Sequence, residues 1–394
     1  MKIIISASYY GVDFLLLPEV HSLNLTHPGT FPSYEQFVNR GILTDNANVT
    51  NMWAQIYVGI NRVNQILDKV PGITDPALSA VERDQILGEA YFIRAFNYHN
   101  LVKYWGGVPL KLTPSDSYDP AKIVLPRASA SEVYTQILAD LALAIPKLPA
   151  SPSTRSRATQ AAANALKARV HLYLKQYPEA INAATLASTG YSLVPNFLDL
   201  WVLRNQSEAI FELQFNTVDT NSLAFYLLPS SNGGRNEVRP SAGLSNAYSA
   251  TDSRRVLTTS IDSKLRYYRA ATRDDNVILL RLAEMILTRA EALVERNTGT
   301  DLADAVVLVN LIRNRALIGN YAGAVTQAAV RDEVFLQRRL ELAIEGHYFF
   351  DLVRTGRATT TLSSPTWNDN QALLPIPLRE INAGGGVVTQ NPGY

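Results

Sequence analysis

The chain has 394 residues, 47% of them hydrophobic and 18% charged, with a formal net charge of +1. It contains no cysteine, which excludes disulfides, thiolate metal sites and a cysteine nucleophile. Charge this balanced, with no long basic or acidic run, gives no support for nucleic acid or an acidic substrate as partner, and no run of about 18 apolar residues offers a membrane-spanning helix.

The opening "MKIIISASYYGVDFLLLPEV" carries one lysine and three isoleucines before it turns polar. Its apolar part falls short of the roughly 7–15 residues of a signal-peptide core, and no small-residue cleavage site follows it. Taken literally, the sequence encodes no export signal; a missing upstream segment explains the same facts. Residues 1–50, rich in Asn, Thr, Pro and Gly, read as mostly irregular with one short helix. Helical periodicity begins at residues 51–70, where Trp53, Ile56, Tyr57, Ile60, Val63, Asn64 and Leu67 recur at three- and four-residue spacing on one face. "PGITDP" ends it. Residues 80–107 form a long helix closed by Gly106 and Gly107, with Pro109 beyond. The two make a helical hairpin.

A second hairpin follows. "SASEVYTQILADLALAIPKLP" opens on a serine cap with Glu132 three residues later. Residues 159–190 give two helices broken around Tyr177 and Pro178. Ala165, Ala168, Ala180, Ala183 and Ala184, with Tyr173 and Tyr177, follow the pattern of a tetratricopeptide-type pair, in which small residues let helices approach and aromatics fill the space between pairs. Composition shifts near residue 191. "SEAIFELQFN" (207–216) reads as a strand, residues 216–255 as a long loop, and "KLRYYRAAT" (264–272) as another strand. A loop that long in a compact protein is usually functional or disordered. Helices return at 276–297, at 301–317 with an aspartate cap, and at 331–356; the Pro- and Gly-rich tail reads as a surface wrap. The fold class is mainly α: tetratricopeptide-like hairpins with a large irregular loop-rich insertion containing a few short strands.

Candidate chemistry is sparse. Histidines 21, 27, 99, 171 and 347 form no short metal spacing, and no nucleophile elbow, phosphate loop or dinucleotide fingerprint is present. No cofactor is called for. Glu284 and Glu291 lie seven apart on one helix face, with Arg281 and Arg289 nearby. A glycosidase uses two carboxylates, but helical carboxylates among arginines are more often structural ion pairs. The segment "QRRLELAIEGHYFFDLVRTGR" (337–357) holds four arginines and three carboxylates among apolar residues. A helix apolar nearly all round is buried, so its charges must pair. The spacing pairs Arg338 with Glu341 and Asp351 with Arg354, and leaves Glu345 for Arg281, Arg313 or Arg315. His347 reads as a packed, hydrogen-bonded histidine. The better functional lead is in the polar-aromatic loops. Tyr226, Asn232, Arg235, Asn236 and Tyr248 lie in or beside the long insertion, and Trp367, Asn368 and Asn370 in a second loop at 364–371. Exposed aromatics stack on the apolar faces of sugars, while Asn and Arg bond hydroxyls.

Several segments together resemble the SusD/RagB family of outer-membrane nutrient-binding lipoproteins: "MWAQIYVGINRVNQIL", "ILGEAYFIRAFNYHNLVKYWGGVPL", "LLRLAEMILTRAEAL", "VNLIRNRAL", "RRLELAIEGHYFFDLVRTGR" and "LLPIPLREI…TQNPGY", in the family's order from about residue 50 to the C-terminus. The resemblance implies a cell-surface protein of Bacteroidota-type bacteria, without a reaction of its own. It would cap a SusC-like TonB-dependent outer-membrane transporter and capture oligosaccharides, or sometimes peptides, for import. Helix pairs would form the scaffold and pack on the transporter; loops would form the ligand site. Residues 1–190 would be the helical N-terminal region and 191–394 the C-terminal region with ligand-facing loops, both in one compact unit. Family members carry a signal peptide and a lipid-modified Cys, so by this resemblance the sequence begins late, lacking both and the usual first helix. A glycoside hydrolase on a helical scaffold and a helical-repeat interaction protein are the competing readings.

Overall fold

A computed structural model describes residues 6–115, 123–260, 266–363 and 367–394. Helix takes 55% of the residues and strand 4%, so the chain is mainly α. The start departs from the sequence reading. Its described residues include a π-helical turn (Ala7–Gly11) and the helices α1 (Asp13–His21) and α2 (Pro32–Val38), and every residue of α1 is buried. A helix buried on all sides shows no amphipathic period, and Pro18 inside it hides it further.

The hairpins follow as expected. α3 (Ala47–Lys69) is capped by Asn46, and α4 (Ala80–Trp105) and α5 (Ala130–Ala144) by capping boxes at Ser79–Glu82 and Ser129–Glu132. Their side chains satisfy helix N–H groups that would otherwise lack partners. α6 (Gln160–Tyr173) and α7 (Tyr177–Ser188) pack against each other, and Ala165, Ala168, Ala180, Ala183 and Ala184 are all buried. Lys175, in the turn between them, has φ +57°.

In the second half, β1 (Leu25–Thr26) pairs antiparallel with β3 (Arg239–Pro240), so an N-terminal segment lies beside the long insertion. The insertion is itself ordered: it includes α8 (Leu223–Leu227). β2 (Ala209–Leu213) pairs antiparallel with β4 (Val277–Arg281). The sequence placed β4 inside a helix because "VILLR" runs straight into the apolar helix α9 (Leu282–Arg296); period alone does not separate a buried strand from a buried helix. Of the strand expected at 264–272, residues 264 and 265 lie outside the described residues, and 266–272 form bends and turns.

α10 (Asp301–Arg315) packs on α9; Asp301 is its first residue and binds Arg296. The helix expected over 331–356 is two: α11 (Gln327–Glu341) and α12 (Tyr348–Arg354). Ile344 (φ +62°) and Gly346 (φ +75°) break it, and a Cβ on Gly346 would come 3.3 Å from the Phe14 carbonyl oxygen.

The break positions a buried ionic lattice. Arg281 meets Glu208 at 2.8 Å, Glu341 at 2.7 Å and Glu345 at 2.8 Å. Arg266 meets Glu345 at 2.6 Å; Arg254 meets Asp252 at 2.7 Å and Glu341 at 3.1 Å; Arg315 meets Glu208 at 2.9 Å and also Glu341. Four guanidiniums thus face four carboxylates. Of the sequence pairings, Asp351–Arg354 holds at 2.6 Å and Glu345 takes Arg281. Arg338 instead reaches across the break to Asp351 at 3.2 Å, because Glu341 is committed to the lattice. Arg313 pairs with Glu333. His347 is buried.

The tail is more than a wrap. Leu374 and Ile376 are buried, and Trp105 Nε1 donates to the Pro375 carbonyl at 3.0 Å. Arg127 donates to the Gly107, Trp105 and Thr389 carbonyls and to Asn391 Oδ1 at 2.6 Å. Asn391 in turn donates to the Trp105 and Leu374 carbonyls.

Candidate functional site

The β1–β3 pair sets the segment 27–31 against 235–237. There a run of rings and cations assembles. The Arg235 guanidinium carbon lies 3.9 Å from the Phe31 ring centroid and 5.9 Å from that of Tyr226. Tyr226 is 6.0 Å from both Phe31 and Phe225, and Arg273 lies 4.8 Å over Phe225. Phe31, Phe225, Tyr226 and Arg235 are half-buried and Arg273 is exposed. The run therefore has a fixed back and an open front.

Glu237 fixes the back. One carboxylate oxygen accepts from the Thr30 N–H at 3.1 Å and the Phe31 N–H at 2.9 Å, with His27 Nε2 at 2.8 Å; the other lies 2.7 Å from Arg235. His27 Nδ1 is 3.1 Å from Glu35. Burial pushes the Glu237 carboxyl up, but the bonds from His27 and Phe31 and the Arg235 charge outweigh it and hold it below the usual range. Gly29 allows this arrangement: a Cβ there would sit 2.4 Å from the Glu237 carboxyl carbon. The other strand of the site is equally tied. Arg235 N–H donates to the Phe225 carbonyl at 2.7 Å, and Glu237 and Val238 both donate to that of Tyr226. Behind it, Tyr34 donates to Asp13 at 2.9 Å, and burial raises the Asp13 carboxyl to about 6.

Of the residues singled out in the sequence, Tyr226 and Arg235 come together here. Asn232 ends a single turn (Ser230–Asn232) and Asn236, at φ +52°, lies beside Arg235; both are half-buried. Tyr248 and Trp367 are corrections to the expectation of exposed rings. Tyr248 is 4% exposed and its hydroxyl donates to the Leu340 carbonyl at 2.6 Å. Trp367 is 8% exposed, packs against His21 and Phe349, and donates to Asp369 at 2.9 Å. Each buries its ring and satisfies its one polar atom, as large aromatics do in a core. Asn368 is exposed and caps the turn Asp369–Ala372, which is tied to the Arg40 carbonyl through Gln371. Residues 364–366 of that loop lie outside the described residues. Phe31, Phe225, Arg273, His27 and Glu237 were missed. Phe225 was signalled by its place beside Tyr226; nothing in "HPGTF" announces a partner at 237.

The alternative carboxylates are spent elsewhere. Arg169 grips Glu284 at 2.6 and 2.7 Å, and Glu291 is held by Arg354 and lies 3.4 Å from Arg338. Among the described residues no three His, Cys, Asp or Glu side chains gather as a metal site, and no helix is long and apolar enough to cross a membrane.

A family model described as starch-binding and associating with the outer membrane matches residues 30–172, and the SusD family model matches residues 226–394. SusD-like protein P38 of Formosa agariphila is 26% identical over 84% of this chain and 77% of its own length. A SusD superfamily protein from Bacteroides vulgatus superposes with a TM-score of 0.87 at 21% identity, over 100% of this chain and 96% of that one. Surface glycan-binding protein A from Bacteroides fluxus does so with 0.83 at 24% identity, over 100% and 97%.

Proposed function

The chain belongs to the SusD family, and on that premise we propose that it captures oligosaccharide at the outer surface of the cell and delivers it to a SusC-like TonB-dependent outer-membrane transporter. The observation that carries the binding half of this reading is the ring–cation run Phe31–Arg235–Tyr226–Phe225–Arg273. Sugar C–H faces stack on such rings, and the guanidinium and phenol edges bond hydroxyls. Glu237 holds the run in place before any ligand arrives, so little ordering entropy is lost on binding. Asn232 and Asn236 stand beside it as further donors and acceptors. That the similar Bacteroides fluxus protein is a surface glycan-binding protein supports the same ligand class.

The action is binding without turnover. The test is calorimetry against an oligosaccharide panel, with each mixture analysed afterwards for cleavage. Saturable binding in the micromolar to millimolar range, about 4–8 kcal/mol, with the glycan recovered intact, is the expected result. Cleavage products would overturn it. Delivery is tested separately, by co-expression and co-purification with a SusC-like transporter from the source organism; failure of the two to associate removes that half.

A further inference from the structure

A cleft of about 300 Å³ opens between the α6–α7 turn, α9, α11 and the end of α12. It shares no element with the ring–cation run. One wall is apolar, from Leu172 and the half-buried rings of Tyr177 and Phe335. The rest is ionic, and its arginines are already matched. Arg354 binds Glu291 at 2.8 Å and Asp351 at 2.6 Å. Arg331 grips Glu295 with two N–H groups, at 2.5 and 3.0 Å. Arg357 meets Asp332 at 2.6 Å while lying 4.3 Å over Phe335.

Lys175 differs from them. It lines the same cleft and is exposed, and among the described residues no carboxylate is set against it. Its backbone is left-handed, at the position after a helix where glycine is usual because glycine alone avoids strain there. A lysine is therefore held where its side chain is a liability to the backbone. Beside it, the Tyr177 phenol is a hydroxyl donor at neutral pH; burial and then the Glu295 and Glu291 charges push it further up.

We propose that this cleft is a second binding site, for a compact ligand that joins one carboxylate to a ring with an apolar face, such as a hexuronic acid unit. The ring lies against Tyr177 and Phe335, the carboxylate meets Lys175, and ring hydroxyls bond the Tyr177 phenol. The volume stands at the low end of ligand pockets, roughly 300–1,000 Å³, so it suits one such unit rather than a chain. The assignment rests on these residues alone and stands or falls apart from the reading of the loop site.

The test titrates glucuronate, glucose and acetate into the full chain and follows the backbone amide signals of Tyr177 and Thr355. Glucuronate is expected to shift them with millimolar affinity, and glucose and acetate to bind at least tenfold more weakly. Lys175→Gly removes the charge and relieves the backbone, so it should cut glucuronate affinity at least tenfold with no loss of melting temperature. Lys175→Met, which keeps the stem, should do the same. The proposal is overturned if the cleft amides do not move, if either lysine variant binds as the parent does, or if acetate or glucose matches glucuronate.

Discussion

Arg235 lies over the ring of Phe31, 3.9 Å from its centroid, with its guanidinium also 2.7 Å from Glu237. The two residues come from opposite halves of the sequence, and each is held by the same carboxylate: Phe31 through its backbone N–H, Arg235 through its charge. A ring and a cation fixed to one another present a surface that needs no rearrangement to receive a flat ligand.

Tyr226→Ala removes the middle of this run. Glycan affinity should fall about 5- to 30-fold, the equivalent of roughly 1–2 kcal/mol of stacking, with the melting temperature little changed. Calorimetry with a bound glycan checks it; an unchanged affinity takes Tyr226 out of the site.

Gly29→Ala places a methyl group 2.4 Å from the Glu237 carboxyl carbon. The carboxylate must move, releasing the Thr30 and Phe31 N–H groups. Stability should drop by about 1–3 kcal/mol, and glycan affinity should fall with it. Urea unfolding measures the first and calorimetry the second. A variant as stable as the parent would mean that the 27–31 segment is not held by this contact.

Glu345→Ala strips one carboxylate from between Arg281 and Arg266. Two buried guanidiniums then lose a partner, at a cost of about 3–5 kcal/mol. The melting temperature should fall by several degrees, while the glycan affinity of the folded fraction persists. Lost binding with unchanged melting would contradict the structural role given to the lattice.

Glu19 gives a pH dependence of defined sign. Its carboxyl is fully buried, and burial raises it from 4.5 to about 7 against the bonds it accepts from Asn24 and Gly346. Between those two values the native state holds a proton that the unfolded chain has lost. Its contribution therefore favours the fold at the acid end of that window and is lost as pH rises through 7. The effect is of the order of 3 kcal/mol. Urea unfolding at pH 5 and pH 8 should show a smaller drop for Glu19→Gln than for the parent. Equal drops would show that Glu19 ionises as an exposed glutamate does.

Helices with a polar face were legible: α3 shows its spacing, α4 its close at Gly106, and α5 its serine cap with Glu132. Elements buried on every side were not. α1 and β4 have no polar face to create a period, and α11 and α12 read as one helix because a buried linker looks like buried helix. The site followed the same logic. Tyr226 and Arg235 stood out as a ring and a cation in a polar loop, yet so did Tyr248 and Trp367, which turn inward. Composition marks a residue able to stack; only the tertiary pairing of β1 with β3 decides which face is open, and it supplied Phe31 and Glu237 from far along the chain.

Arg127 and Asn391 make the segment around residue 391 a latch. Both contact the Trp105 carbonyl at the close of α4, and Arg127 stands two residues before the cap of α5. Loss of Asn391 would thus strike two helices whose sequences lie far from it along the chain. The last few residues, though they belong to no helix, guard the junction between α4 and α5.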